Sequence, residues 1–347
     1  MYTVIDYLDY YKNISLSDVH WNNMDNLVCS ILVYLNIESF KEEKNINELY
    51  NYCLEFKNKA TNSLMAPKAF DVLSIILNSK RYKELTVSNF NVLLNNKTQF
   101  GAATFKIKNI LVVSFRGTDG SFIGWVENFR IAYEYPTYTQ NLAIDYLNNI
   151  DNYDQKNIYV VGHSKGGNLA MVSSMEANDE VFDRIKKVCN FDGPGFRKDE
   201  YNSQKYNRLS KKLYNVVPTG SIVGVLLNNK KYEVIKSNEI AFDEHYPTSW
   251  NVFGEYFVKG TSSKVSMQLH ENTTTGLAKL DQEKVKEIFE TLFKSMGGNY
   301  SDGFKISLSD LRSIFNNMKN VDLSTLNYIN KIINTLVNVS RVGDKEE

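Results

Sequence analysis

Residues 158–172 read Ile-Tyr-Val-Val-Gly-His-Ser-Lys-Gly-Gly-Asn-Leu-Ala-Met-Val. An apolar, β-branched run leads into Gly162-His163-Ser164-Lys165-Gly166, a G-x-S-x-G pattern, and a helix-forming run follows. Strand, tight glycine-flanked turn, serine, helix is the context of a nucleophile elbow. The serine of such a turn sits at a strained backbone angle, and small flanking residues let strand and helix approach closely. The start of the helix and the amide of Lys165 then face the place where negative charge develops during acyl transfer.

Outward from the elbow, the pattern is one of strands alternating with helices. Short apolar runs at 158–162, 187–192, 212–217 and 232–236 predict strands, and 137–150 (TYTQNLAIDYLNNI) predicts a helix with Leu142, Tyr146 and Ile150 on one stripe. Upstream, 89–94, 100–107 and 110–115 are β-branched or aromatic runs, and Lys108-Asn109 suits a hairpin turn. Alternation with continuous apolar strands indicates a mostly parallel sheet covered on both faces. Residues 1–85 read as helical: Leu27, Val28, Ile31, Leu32 and Leu35 share a face, and residues 72–77 form a second apolar cluster. Helical spacing returns after residue 282, at Val285–Met296, Leu311–Met318 and Leu326–Val337, with mixed-charge polar faces that fit a packed helical cap. The expected organisation is an N-terminal helical segment (1–85), a core (86–260) and a C-terminal helical extension (261–347), integrated in one domain.

Bulk properties restrict the function classes. The 347 residues are 43% hydrophobic, enough for a sizeable core, and 40 basic residues balance 40 acidic ones. That balance gives no footprint for a nucleic-acid partner. Cys29, Cys53 and Cys189 have neither zinc-site nor disulfide spacing. No apolar run reaches membrane-spanning length, and MYTVIDYLDYYKN lacks the marks of a secretory leader. A cytoplasmic protein without transmembrane segment, metal or cofactor is expected.

The segment SFRGTDGSFIGWVENF at 114–129 leaves an apolar strand and enters a glycine-containing loop. An acyl-transfer serine needs two amide donors, one after the nucleophile and one from a loop following an earlier strand. Thr118 and Lys165 are the candidates for this oxyanion hole. Losing one such donor typically costs about 3 kcal/mol of transition-state stabilisation.

GHSKGGNLA, FRGTD…GW.ENF, FDGPGF at 191–196, SIVGVLL at 221–227 and HYPTSW at 245–250 resemble a bacterial family of α/β-hydrolases related to the class 3 (triacylglycerol-type) lipases. The resemblance covers roughly residues 20–260. It implies an α/β-hydrolase fold and a serine hydrolase acting on a small-molecule or lipid ester, and it leaves the substrate open. Of the four histidines, His245 follows the last strands, where the order serine, acid, histidine requires the base, and it matches the family's histidine motif. His163, inside the elbow, is expected to turn away from Ser164 into packing.

The acid is the least determined member. The lipase pattern places it after strand 212–217, where the sequence Val217-Pro218-Thr219-Gly220-Ser221 holds no carboxylate. Asp192, at another strand end, is the leading candidate, although Asp192-Gly193-Pro194-Gly195 also reads as a turn in which aspartate binds local amides. Ser221 as a neutral acceptor, and Asp243 or Glu244, stay open. Lys165 is expected in solvent, or else in contact with an anionic substrate group or with Asp192. The reading is an ester or thioester hydrolase working through an acyl-enzyme on Ser164 and His245. The alternatives are an acyltransferase and a catalytically silent fold that binds a lipid or a protein.

Overall fold

Among the described residues, eight strands lie side by side in chain order: β1 (Lys44–Asn45), β2 (Thr86–Leu94), β3 (Gln99–Ile107), β4 (Ile110–Phe115), β5 (Asn157–His163), β6 (Ile185–Phe191), β7 (Leu213–Pro218) and β8 (Glu233–Ile235). The computed structural model describes residues 1–59, 61, 63–95, 98–118, 130–150, 157–229, 231–276, 280 and 282–287. Neighbours from β1 to β4 are antiparallel, and those from β4 to β8 are parallel. The parallel strands are the apolar runs picked out by pattern. The run at 187–192 ends one residue early, at Phe191, which leaves Asp192 just beyond the strand.

Chain-order pairing has a consequence for the cover. A crossover between neighbouring parallel strands is right-handed in nearly all proteins. When every crossover also steps the same way across the sheet, its helices land on one face. Accordingly α5 (Tyr138–Asn148), α6 (Lys165–Met175), α7 (Asp179–Arg184) and α9 (Gln204–Leu209), the last preceded by the short α8 (Lys198–Tyr201), lie between the strands. Ala143, Leu169, Val181 and Leu209 of these helices share one core with Val113, Val160 and Val188 of the sheet.

The opposite face carries Phe105, Val112, Val161, Cys189 and Val216. It is covered by the N-terminal helices α1 (Val4–Tyr11), α2 (Asn23–Leu32), α3 (Ile46–Phe56) and α4 (Met65–Ile76). In α2 every residue after Asn23 is buried, and the helix is started by a capping box between Asn22 and Asp25. The helix is shorter than the apolar face predicts. It stops at Leu32, and Val33, Tyr34 and Leu35 continue as a buried turn.

Asp25 also receives Arg81 (2.6 Å to Nη2, 2.8 Å to Nε) and the hydroxyls of Tyr7 (3.1 Å) and Tyr82 (2.6 Å). The ion pair is wholly inaccessible to solvent and welds α1, α2 and the entry to β2 together. After β8 come the hairpin β9 (Val252–Phe253) and β10 (Tyr256–Phe257), then α10 (Lys264–Glu271). Residues 282–287 are helical, with Val285 buried, while the predicted helices at 311–318 and 326–337 lie outside the described residues. No helix among the described residues is long and apolar enough to cross a membrane.

Candidate active site

Ser164 stands between β5 and α6 with φ +59° and ψ −134°. That positive-φ conformation is strained for a non-glycine residue and is held only where the surroundings impose it. Here the Ser164 amide donates to Phe191 O (2.9 Å) and its carbonyl accepts from Gly167 N (2.8 Å). Packing adds to the constraint. A Cβ on Gly162 would stand 2.1 Å from Gly166 O, so strand and helix touch backbone to backbone at the turn.

Strand β4 ends beside this turn. A Cβ on Gly117 would meet the Tyr34 hydroxyl at 2.1 Å, His163 O at 2.5 Å and the Ser164 Cβ at 2.9 Å. The chain at 116–118 therefore lies directly against the elbow, and half-buried Thr118 is the next residue. Lys165 opens α6 with its amide at the helix start. The 119–129 part of the loop motif lies outside the described residues. The Lys165 side chain departs from expectation: it is neither in solvent nor on Asp192. It is buried, and its ammonium donates to Gln99 O (2.5 Å), tying α6 to the start of β3.

Asp192 follows β6 in the left-handed region at φ +53°, which aspartate tolerates better than most residues. Its carboxylate is fully buried. Oδ2 lies 2.6 Å from His245 Nδ1, while Oδ1 accepts from Ser221 Oγ (2.5 Å) and Gly224 N (3.0 Å). Bracing of the local turn falls to Asn190, whose Oδ1 accepts from Gly193 N (2.9 Å) and whose Nδ2 donates to Gly193 O (3.0 Å). This division of labour frees Asp192 for His245. Ser221 does not take the imidazole, as one expectation had it; it donates to Asp192. Glu244 and Asp243 are not on the imidazole either. Glu244 Oε2 accepts from Gly220 N (2.6 Å), and burial raises its pKa. Asp243 serves through its carbonyl, which accepts from Tyr246 N (3.1 Å).

His245 ends a short 3-10 turn (Ala241–His245) and is 18% exposed at its side chain. The turn is anchored at two successive carbonyls: Trp250 Nε1 donates to Glu244 O (2.7 Å), and His163 Nε2 donates to His245 O (2.8 Å). The rings of His163 and His245 are 4.6 Å apart. The structure thus brings together the elbow, Asp192, His245 and the 116–118 segment. His20 and His270 are elsewhere: His20 O accepts from Arg81, and His270 Nδ1 lies on Val225 O beside the Tyr232 ring. Tyr34 and the hydrogen bonds of His163 escape sequence reasoning, since both depend on a helix joined to the elbow only by folding. Asn168 does carry a signal in the sequence, its place in GGN: it bonds Pro194 O and Gly195 O (both 3.1 Å) and so fastens the elbow helix to the FDGPGF loop.

Among the described residues no cluster of three or more histidine, cysteine or acidic side chains could hold a metal. A protein-family model described as Mbeg1-like matches residues 76–294. The crystal structure of M37 lipase resembles the chain at 14% identity and TM-score 0.36, over 58% of this chain and 68% of that one. The comparison with curated proteins gave no match.

Proposed function

The chain belongs to the Mbeg1-like family, and from that premise we propose that it is a serine hydrolase of the α/β-hydrolase fold, cleaving an ester or thioester through an acyl-enzyme. The observation that carries the reading is the buried Asp192 carboxylate on His245 Nδ1 beside the strained Ser164 turn. A carboxylate there holds the proton on Nδ1 and leaves Nε2 as the base. On this reading His245 Nε2 takes the proton of Ser164 Oγ as Oγ attacks the acyl carbon. Asp192 stabilises the imidazolium, and the amides of Thr118 and Lys165 stabilise the oxyanion. The imidazolium then returns the proton to the leaving alcohol or thiol, and water repeats the sequence to release the acid.

Ser221 and Gly224 support the assignment of Asp192. Two donors on Oδ1, Ser221 Oγ and Gly224 N, hold the buried carboxylate in place with its other oxygen toward the imidazole. The silent-fold alternative drew on the lack of a carboxylate after Val217; the Asp192–His245 contact supports the enzyme reading instead. The N-terminal segment 1–85 belongs to the same unit on this reading, because α2 backs the elbow strand.

The test is labelling by a fluorophosphonate probe together with hydrolysis of a short p-nitrophenyl ester. The wild type should label and turn over, and Ser164→Ala should do neither. Equal labelling of the variant would remove Ser164 from its role, and an inert wild type would return the silent binding module as the better reading.

A further inference from the structure

The hydrogen bonds of Tyr34 and His163 form a chain that can be directed atom by atom. Tyr34 is fully buried, two residues past the end of α2. Its hydroxyl oxygen accepts from Gly117 N (3.0 Å), lies 3.0 Å from His163 Nδ1 and 3.3 Å from His163 O. The other ring nitrogen, Nε2, is 2.8 Å from the carbonyl oxygen of His245.

A carbonyl oxygen only accepts, so Nε2 carries a hydrogen. Burial and the neighbouring His245 ring push the His163 pKa well below the ordinary imidazole value. The ring therefore holds one proton, and Nδ1 presents a lone pair. The one hydroxyl proton of Tyr34 goes to Nδ1, the shorter of its two contacts there. Every donor then points the same way: Gly117 N–H to Tyr34, Tyr34 O–H to His163, His163 Nε2–H to the carbonyl of His245. Neutrality of His163 has a further use. With the rings 4.6 Å apart, a second cation would oppose the imidazolium that His245 forms during turnover.

We propose that Tyr34 and His163 are positioning residues of the acyl-transfer site, setting the oxyanion loop at Gly117-Thr118 and the base His245 in one register through this directed chain. The proposal rests on the hydrolase reading above. It gives the N-terminal helical segment a part in catalysis: the turn that ends α2 carries the residue that joins the two halves of the site. Misplacement of reacting groups by about 1 Å can cost on the order of 100-fold in rate, so loss of the chain should appear in turnover more than in substrate binding.

The experiment uses the full-length chain. Tyr34→Phe keeps the ring and removes the hydroxyl. Its kcat on a p-nitrophenyl ester should fall about 10- to 100-fold, with KM within about twofold of wild type and the circular dichroism spectrum retained. Unchanged kcat with only a lower melting temperature would overturn the proposal. A second pair guards against misfolding. His163→Gln offers a donor and an acceptor in its side-chain amide, and His163→Leu offers neither. The Gln variant should exceed the Leu variant in kcat by about tenfold or more, and equal rates would overturn the proposal.

Nitrogen-15 histidine NMR of the wild type at neutral pH gives a readout independent of turnover. His163 should be the Nε2–H tautomer, and an Nδ1–H tautomer or a doubly protonated ring would overturn the chain. A wild type that neither labels nor hydrolyses would sink the hydrolase reading and the catalytic role with it, while the tautomer would still decide whether the hydrogen-bond chain exists.

Discussion

Asp192 holds three donors on two oxygens while shut off from solvent: Ser221 Oγ and Gly224 N on one, His245 Nδ1 on the other. Replacing it by asparagine tests its role with little change of shape. In Asp192→Asn the side-chain carbonyl oxygen would keep Ser221 and Gly224, and the amide nitrogen would face the imidazole as a donor. The ring would then present a lone pair at Nδ1 and its hydrogen at Nε2, the wrong tautomer for a base. The substitution should lower kcat by about ten-thousand-fold and leave KM nearly unchanged. Turnover and melting temperature measured on the same sample distinguish this from a turn-bracing role, in which stability would fall and rate would survive. The structure already assigns the bracing bonds to Asn190.

Helix α2 shows how an element that makes no chemistry can hold a site together. It packs on the elbow strand, ends next to Tyr34, and is tied at its start to Arg81 through Asp25. Removing one member of a buried ion pair leaves the other charge uncompensated, which costs about 3–5 kcal/mol, whereas replacing both can be nearly neutral. Asp25→Asn should therefore lower the unfolding free energy from urea titration by an amount in that range. Asp25→Asn combined with Arg81→Met should recover part of the loss. A double variant less stable than the sum of both single changes would argue against mutual compensation of the two charges.

At the scale of the molecule, the order of strands determines where cover must come from. With β4 to β8 paired in chain order, the crossover helices occupy one face, and the other depends on α1–α4, all before residue 77. The matched family region, 76–294, begins at the last residue of α4. A fragment spanning 77–347 would expose Phe105, Val112, Val161 and Val216 and leave Arg81 without Asp25. It should lack a cooperative urea transition by tryptophan fluorescence and should bind a hydrophobic dye. Co-expression with residues 1–76 should restore the transition. A fragment that unfolds cooperatively by itself would show that the N-terminal helices are dispensable for the fold.

The local parts of the fold can be read without coordinates. A strand's apolar run, a helix's spacing and the elbow's glycines express their physics within a few residues, so the parallel strands and the Ser164 turn are legible in order. Placing His245 after the last strand also needs only chain order. The acid contact is different. Asp192, Ser221, Asp243 and Glu244 all satisfy the pattern on paper, and the choice turns on which side chain meets Nδ1 across 53 positions of chain. Tyr34 is more remote still, 129 positions from His163, and nothing near it in sequence marks it. Buried hydrogen bonds of this kind exist only once the sheet has brought its two faces and its strand ends together. For that reason the joining of Tyr34, His163, Asp192 and His245 is a property of the folded chain and of no segment within it.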